Sequence, residues 1–230
     1  MESRIPNTIR RLMEGRSFEE NHIGMSDSRV LMAEDLVLKI QRPSPETENE
    51  CKVCRWLDRR IPVPEILACE ISDGMAYTLM TRMKGKMLCD ETYMADPQRL
   101  LRIVCQGLNL LWKVDITDCP CDSTLDVRLQ AARYNVENGL VDLDNVEEDT
   151  FGENGFADPE ELLRWLEDNR PEEDPVFSHG DFCMPNIFAD GDRISGSPYP
   201  GYRPGMLFET LGIRPDPEKL RYYLLLDELF

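Results

Sequence analysis

One segment of the chain carries a carboxylate and an amide at a spacing suited to phosphoryl transfer. Residues 176–188 contain the pattern H-G-D-x-x-x-x-N, with apolar residues on both sides. Phosphoryl transfer needs a carboxylate that orients the attacking hydroxyl and accepts its proton, and an oxygen ligand for Mg²⁺ a few residues later. Asp181 is therefore predicted to be the catalytic base and Asn186 a metal ligand. A purely structural loop is the alternative, which the completeness of the pattern disfavours.

A lysine and a glutamate nearer the N-terminus could hold nucleotide phosphates. Lys39 lies in an apolar strand pattern, and Glu50 lies in the helix predicted to follow it. An ammonium group there can reach the α- and β-phosphates of ATP, and a carboxylate can fix it as an ion pair. The preceding loop 24–26 contains a glycine for close backbone approach, and Ser26 offers a hydroxyl and an amide. Each signal is ordinary alone, but their order ahead of Asp181 predicts an ATP site.

The elements that must position these groups change character along the chain. The first part predicts a helix, a hairpin, a second helix and a second hairpin, and this order implies a small α+β lobe with an antiparallel sheet. From Asp96 onward the periodicity becomes helical. The boundary falls at the glycine-containing stretch 84–86, which is typical of a hinge. The predicted helices are 5–18, 46–59, 125–138, 159–169 and 218–229, and the predicted strands are 30–32, 36–40, 66–71 and 75–83.

The charge of the chain restricts its partners. The formal net charge is −18, which argues against nucleic acid because binding it requires a basic surface. A cationic small molecule or a basic protein fits better. No apolar run approaches the roughly 20 residues that span a bilayer, and the N-terminus lacks the apolar region of a signal peptide. We therefore expect no membrane partner and a cytoplasmic location, and the sequence makes no prediction of oligomeric state.

Acidic residues are concentrated in one segment. Residues 140–174 contain fourteen acidic residues and two basic ones. Charge alone favours a solvated acidic surface over a site for a polycation.

The eight cysteines include two local pairs, Cys51 with Cys54 and Cys119 with Cys121. A zinc site would need two such pairs, or one pair with histidines at ligand spacing, and the chain has only two histidines. Reduced and partly buried thiols are therefore expected.

Taken together, these motifs resemble the aminoglycoside 3′-phosphotransferases over nearly the whole chain. The segments 176–181 and 222–230 are the most specific, because they separate this family from choline kinases and protein kinases. The other segments that carry the resemblance are Gly24-Met25-Ser26, Leu38-Lys39, Trp56-Leu57, Pro62-Val63-Pro64, 115–120 and 148–150.

The resemblance implies a bilobal protein-kinase-like fold of the α+β class. Residues 1–83 would form a nucleotide-binding N-lobe with a small antiparallel sheet. Residues 84–230 would form a mainly helical C-lobe that carries the catalytic and aminoglycoside-binding groups. ATP and Mg²⁺ would be the cofactors, and Asp181 would act on the 3′-hydroxyl of an aminoglycoside, which confers antibiotic resistance.

The resemblance also gives the acidic segment a role. An aminoglycoside carries several ammonium groups, and the family binds them with an acidic insertion and the extreme C-terminus. By position these map onto Asp144, Glu147, Asp227, Glu228 and the terminal carboxylate of Phe230. Exposed charge pairs are individually weak, so affinity would come from several acting together.

The chain departs from the family pattern after Gly196. The family continues there into an Ile-Asp-x-Gly-Arg segment whose aspartate is a second metal ligand, and no such segment occurs in this sequence. A neutral Asn186 cannot supply the missing charge. Asp190 and Asp192 are nearby carboxylates, but their position in a turn pattern disfavours them as replacements.

Several alternatives stay open at this point. The segment is either deleted or present in a natural chain that carries further residues there. If it is deleted, the protein could be a catalytically inactive homologue that retains nucleotide or aminoglycoside binding. A kinase of another small alcohol is a third possibility, which the acidic C-terminus disfavours.

Overall fold

The computed structural model describes residues 5–21, 28–152, 155–178, 184–195 and 211–230. The chain divides into two compact units, each built from two separate stretches of sequence. The first comprises Met1–Cys121 and Val176–Leu211, and the second comprises Asp122–Pro175 and Gly212–Phe230. The boundary predicted after residue 83 lies within the first unit, and the division into lobes at that residue stays a prediction.

The described elements follow the predicted order closely. In the first unit they are α1 (Asn7–Met13), β1 (Glu19–Asn21), β2 (Arg29–Met32), β3 (Leu36–Gln41), α2 (Pro45–Leu57), β4 (Ile66–Ser72), β5 (Met75–Thr81), β6 (Lys86–Met87), α3 (Glu91–Met94), α4 (Pro97–Trp112), a 3-10 helix (Met184–Asn186), β7 (Phe188–Asp190) and β8 (Arg193–Ile194). In the second unit they are α5 (Leu125–Glu137), α6 (Pro159–Asp168) and α7 (Pro217–Asp227). The α+β class is confirmed.

A five-stranded antiparallel sheet forms the first part of the chain, in the order β1-β2-β3-β5-β4. Successive side chains of a strand point to opposite faces, so adjacent cross-strand pairs alternate between them. The pair Leu38 and Leu79 is fully buried in a core that includes Ile9 of α1. The next pair, Lys39 and Thr78, must face the opposite side.

Helix α2 covers that opposite side. It begins with a capping box, in which Ser44 accepts from the Thr47 amide and Thr47 accepts from the Ser44 amide. Thr47, Glu50, Cys51 and Cys54 recur at helical spacing, so they share one face of the helix. Thr47 and Cys51 are almost fully buried, which identifies this as the face that packs on the protein.

A second, three-stranded antiparallel sheet of order β6-β7-β8 anchors the segment after the 3-10 helix. Tyr93 donates a 2.8 Å hydrogen bond to the Ala189 carbonyl. Gly85 has a φ of +84°, and a Cβ atom there would lie 2.0 Å from the same carbonyl oxygen. Only glycine fits at this crossing. The stretch predicted to be a hinge therefore leads into strand β6.

The second unit is helical around one apolar core. Its buried side chains are Leu125, Leu129, Ala132, Leu162, Leu163, Leu166, Tyr222, Leu226 and Leu229. They come from α5, α6 and the C-terminal helix α7 with the turn that follows it. Within the described ranges of the chain, no helix has the length and apolar character needed to cross a membrane.

Candidate functional site

The predicted pair of Lys39 and Glu50 forms in the structure. The Nζ atom of Lys39 lies 2.8 Å from Oε2 and 3.0 Å from Oε1 of Glu50. Strand β3 carries the lysine between two neighbouring strands, and α2 carries the glutamate on the face that packs on the protein. Both side chains are partly exposed, at 25% and 37%. The ammonium group is thus fixed in place and accessible from solvent.

Two cysteines of α2 lie close to this pair. Burial, and secondarily the charge of Glu50, raise the pKa of the Cys54 thiol to about 11. Burial and the contact with Cys69 raise the pKa of the Cys51 thiol to about 11 as well. Both groups are therefore neutral thiols at physiological pH. The seven cysteines in the described part of the chain are all free, as the sequence predicts.

Asn186 ends the 3-10 helix and is half-buried. The next residue, Ile187, is fully buried and accepts a 2.9 Å hydrogen bond from the Leu88 amide, so the backbone at Asn186 is firmly held. An amide oxygen is a hard ligand that suits Mg²⁺. Asn186 therefore fits one position in a magnesium site, with water and phosphate oxygens supplying others.

Asp190 and Asp192, the two carboxylates near the missing aspartate, are poorly placed to replace it as a metal ligand. Asp192 Oδ1 accepts a 2.5 Å hydrogen bond from Arg99 and is 77% exposed. Asp190 is exposed at the end of β7. No group of three or more histidine, cysteine, aspartate or glutamate side chains is arranged to hold a metal ion in the described ranges. Asp192 is thus already engaged by a cation.

The structure does not describe two of the predicted site residues. The catalytic candidate Asp181 and the phosphate-loop candidate Ser26 lie outside the described residues. Their roles stay predictions from the sequence.

Of the predicted substrate residues, Glu147 lies beside the C-terminal residues Asp227, Glu228 and Phe230, whereas no contact in the described part of the chain places Asp144 with them. The carboxylate of Glu228 accepts a 3.2 Å hydrogen bond from the backbone amide of Glu147. Asp227 Oδ1 accepts a 2.6 Å hydrogen bond from Arg128 of α5, and the same guanidinium lies 5.1 Å from the centre of the Phe230 ring. The acidic insertion and the C-terminal helix therefore share one surface region.

Further contacts fix the backbone of this region. Asn135 of α5 donates a 2.9 Å hydrogen bond to the Leu229 carbonyl. The Asp144 amide donates to Asp142 in an exposed turn of the insertion. Asp144, Glu147 and Asp227 are exposed, and Phe230 is 49% exposed. These acidic groups are open to a cation from solvent.

Two residues that contact the predicted site were not predicted from the sequence. Arg128 is one turn after the buried Leu125, and only the fold reveals that it faces Asp227. Thr78 pairs with Lys39 across the sheet, and it is 2% exposed. Lys39 lies on β3 and Thr78 on β5, and α2 and β4 separate these strands along the chain, so no turn in the sequence fixes the register of this pair.

Comparison with known families gives one match that covers most of the chain. The model of the phosphotransferase enzyme family matches residues 8–196. An aminoglycoside 3′-phosphotransferase of Enterococcus faecalis is 34% identical, with 99% of this chain and 98% of the relative covered. One of Staphylococcus aureus is 33% identical at the same coverage.

The alignments also bear on the segment that departs from the family pattern. They extend over 266 and 265 positions, which is longer than the 230 residues of this chain. These relatives therefore contain residues that have no counterpart here, which agrees with the missing segment predicted after Gly196.

Solved structures match the fold. A crystal structure of aminoglycoside-3′-phosphotransferase of type VIII superposes with a TM-score of 0.71 at 22% identity, covering 97% of both chains. An aminoglycoside phosphotransferase APH(3″)-Id of Streptomyces rimosus, in complex with ADP and streptomycin, gives a TM-score of 0.66 at 20% identity and 96% coverage of both chains. The kinase-like fold predicted from the sequence is confirmed.

Proposed function

The chain belongs to the aminoglycoside 3′-phosphotransferases of the phosphotransferase enzyme family, and from this premise we propose that it transfers the terminal phosphate of ATP to the 3′-hydroxyl of an aminoglycoside antibiotic. Such a reaction inactivates the drug and confers resistance.

The observation that carries the proposal is the ion pair between Lys39 and Glu50. A lysine on the third strand, held by a glutamate of the following helix, matches the arrangement that orients nucleotide phosphates in kinases. The 2.8 Å contact leaves the lysine at a defined position before any nucleotide binds. Preorganised charge of this kind supports phosphoryl transfer because no energy is needed to order it during the reaction.

The other groups have separate roles in the proposed reaction. Asp181 accepts the proton of the attacking hydroxyl, and Lys39 contacts the α- and β-phosphates. Ser26, in the loop 24–26 ahead of strand β2, covers the phosphates of ATP. Asn186 would contribute an oxygen ligand for Mg²⁺, and bound Mg²⁺ would neutralise charge on the transferring phosphate. Since Asn186 is neutral, a site without the second metal-binding aspartate would lack an anionic protein ligand for Mg²⁺, which would be held by Asn186, water and phosphate oxygens.

The acidic region of the second unit supports an aminoglycoside as the phosphate acceptor. Asp227 ends α7, Glu228 and Phe230 follow it, and the backbone amide of Glu147 donates a hydrogen bond to the Glu228 carboxylate. Together with Asp144 they would bind the ammonium groups of the drug. Relatives at 34% and 33% identity are named for this activity. Since the reaction consumes ATP, the proposal includes a cytoplasmic location.

The experiment that tests the proposal is an acceptor comparison with the purified protein. ADP release is measured with ATP, Mg²⁺ and kanamycin, and the product is examined by mass spectrometry and NMR for a phosphate at the 3′ position. An aminoglycoside that lacks the 3′-hydroxyl is the matched control acceptor. We expect turnover with kanamycin and none with the control.

The intact mass of the same sample decides how the missing segment is interpreted. Turnover by a chain of 26.6 kDa establishes that the enzyme works without the second metal-binding aspartate. ATP binding without turnover at that mass would instead establish the inactive homologue. Turnover with simple alcohols but not with aminoglycosides would contradict the proposed substrate class.

A further inference from the structure

Cys51 and Cys69 form a thiol pair beside the nucleotide-binding residues. The two sulfur atoms lie 2.8 Å apart, although 18 residues separate the cysteines along the chain. Cys51 comes from helix α2, and Cys69 comes from strand β4. The pair therefore joins two elements, unlike the Cys51 and Cys54 pair that the sequence pattern singled out.

The pair belongs to the same layer as the ion pair of the proposed ATP site. Thr78 of β5 is paired with Lys39 on one side and with Cys69 on the other, so the three side chains form a cross-strand row. The Thr78 hydroxyl lies 3.6 Å from the sulfur of Cys51 and 3.8 Å from that of Cys69. Glu50 and Cys51 are neighbours on α2. Glu50 contacts Lys39, and Cys51 contacts Thr78 and Cys69, so two adjacent residues of the helix pack on this row.

The two thiols differ in their access to solvent. Cys51 is 3% exposed, whereas Cys69 is half-buried. Burial raises the pKa of Cys51, so it stays a thiol at neutral pH. A small reagent would therefore reach Cys69 first, and Cys51 would react only as an intramolecular partner.

We propose that Cys51 and Cys69 are an oxidation site, at which a low-molecular-weight disulfide converts the two thiols into a bond that joins α2 to β4. The distance between the sulfurs must shorten by less than about 1 Å, since a disulfide bond is about 2.05 Å long. The two sulfur atoms thus need to move by only a fraction of an ångström for the bond to form.

The chemistry proceeds by two thiol–disulfide exchanges. The sulfur of Cys69 attacks the reagent, forms a mixed disulfide and releases one small thiol. The sulfur of Cys51 then attacks the Cys69 sulfur and releases the second small thiol. The protein loses two electrons and two protons, and the reagent gains both, so that two thiols are produced for each disulfide consumed.

The bond would tether Glu50 without displacing it. Because the sulfurs are already in contact, oxidation leaves α2 in place, and Glu50 remains opposite Lys39. A cross-link that closes a loop of this length also restricts the unfolded chain and raises the melting temperature. The site thus stabilises the first unit under oxidising conditions and keeps the nucleotide-binding pair assembled.

Treatment of the purified full chain with glutathione disulfide tests the proposal. After alkylation of the remaining thiols, trypsin separates the three cysteines of this region, since cleavage sites at Lys52, Arg55 and Arg60 lie between them. We expect peptide 40–52 to be cross-linked to peptide 61–82. The melting temperature of the oxidised protein should rise by several degrees and return to its initial value on reduction.

Variants separate this cross-link from general oxidation. Cys69→Ser should abolish both the linked peptides and the rise in melting temperature, whereas Cys54→Ser, one turn further along α2, should retain both. The wild-type peptide map alone keeps the proposal testable if a variant folds poorly. Glutathione adducts without the cross-link, or a cross-link through Cys54, would overturn it. The result is independent of the activity assay, because it requires no nucleotide or acceptor.

Discussion

The Arg128 guanidinium donates a 2.6 Å hydrogen bond to the carboxylate of Asp227. This carboxylate is one of those proposed to bind the ammonium groups of the substrate, so in the free protein it already has a cationic partner. Arg128 is 30% exposed and Asp227 is 64% exposed. The contact holds the end of α7 against α5, and it leaves much of the carboxylate available to a second cation.

Replacement of this carboxylate should weaken substrate binding. We expect Asp227→Asn to raise the KM for kanamycin roughly three- to tenfold with little change in kcat, because an exposed charge pair contributes about 1 kcal/mol. Steady-state kinetics at saturating ATP measure this. Asp168→Asn removes the same charge from the exposed end of α6 and should leave KM unchanged. An equal rise in both variants would indicate only a general effect of net charge.

Removal of the lysine on β3 should impair the use of ATP. We expect Lys39→Ala to lower kcat/KM for ATP about 100-fold, because hydrogen bonds to charged groups contribute roughly 1.5–3 kcal/mol each. The matched control is Lys52→Ala on α2, whose ammonium lies 3.6 Å from Glu48 on the helix surface. The control should retain activity within twofold. Comparable kinetics for the two variants would contradict the phosphate-binding role of Lys39.

The magnesium dependence of turnover should depend on Asn186. We expect Asn186→Ala to raise the Mg²⁺ concentration that gives half-maximal turnover, since an oxygen ligand is lost. Asp192→Asn should leave that concentration unchanged, because Asp192 is engaged by Arg99. Titration of Mg²⁺ at fixed ATP distinguishes the two. A shift in Asp192→Asn alone would identify Asp192 as the replacement ligand and exclude the role assigned to Asn186.

A buried hydroxyl stabilises the second unit. Tyr222 is 2% exposed, and its hydroxyl donates a 2.9 Å hydrogen bond to the Leu166 carbonyl near the end of α6. Tyr222→Phe should lower the free energy of unfolding by about 1–2 kcal/mol, because that carbonyl loses its side-chain partner. Tyr223→Phe, at the neighbouring and less buried position, should change it by less than about 0.5 kcal/mol. Equal losses of unfolding free energy in the two variants would contradict the stabilising role of the Tyr222 hydroxyl.

Alkaline pH should destabilise the protein through the thiols of α2. The pKa of Cys54 is raised to about 11 by burial, whereas an unfolded thiol titrates near pH 8.5. The unfolded chain therefore loses its proton first as pH rises. The stabilisation is complete below about pH 8.5 and is lost progressively towards pH 11.

Melting temperatures measured under reducing conditions test whether stability falls with rising pH in this way. Cys54→Ala should show a smaller decline between pH 8 and pH 10.5 than the wild type, whereas Cys89→Ala, at an exposed position, should decline as the wild type does. A steeper decline in Cys54→Ala would show that the thiol does not carry the effect.

Helices and strands were predictable from the sequence where the local pattern of apolar and polar residues agrees with the tertiary packing. The hairpin of β2 and β3 and the helix α2 follow from residue spacing within one segment, and they were predicted within a few residues. For the amphipathic helix α4 only the start near Asp96 was predicted. Strand β1 was missed because three residues with the sequence Glu-Glu-Asn have no strand propensity of their own. It is a strand only because β2 lies beside it.

The site was predictable to the extent that it resides in contiguous motifs. Lys39 and Glu50 followed from strand and helix order, and their contact is confirmed. Arg128 and Cys69 were not predicted to meet Asp227 and Cys51, because the contacts join residues that are 99 and 18 positions apart. Nothing in the local sequence marks such partners, and only the tertiary packing determines them.

The core of the second unit sets an order of events during synthesis. Leu125 and Leu129 of α5 pack against Tyr222 and Leu226 of α7, which leaves the ribosome long after α5 and α6 have emerged. Until then α5 and α6 can pack only against each other, so the part of their apolar faces that α7 covers is exposed to chaperones, proteases and aggregation. A nonsense mutation ahead of α7 would therefore remove three of the nine buried residues of this core, in addition to the acidic residues at the end of the helix.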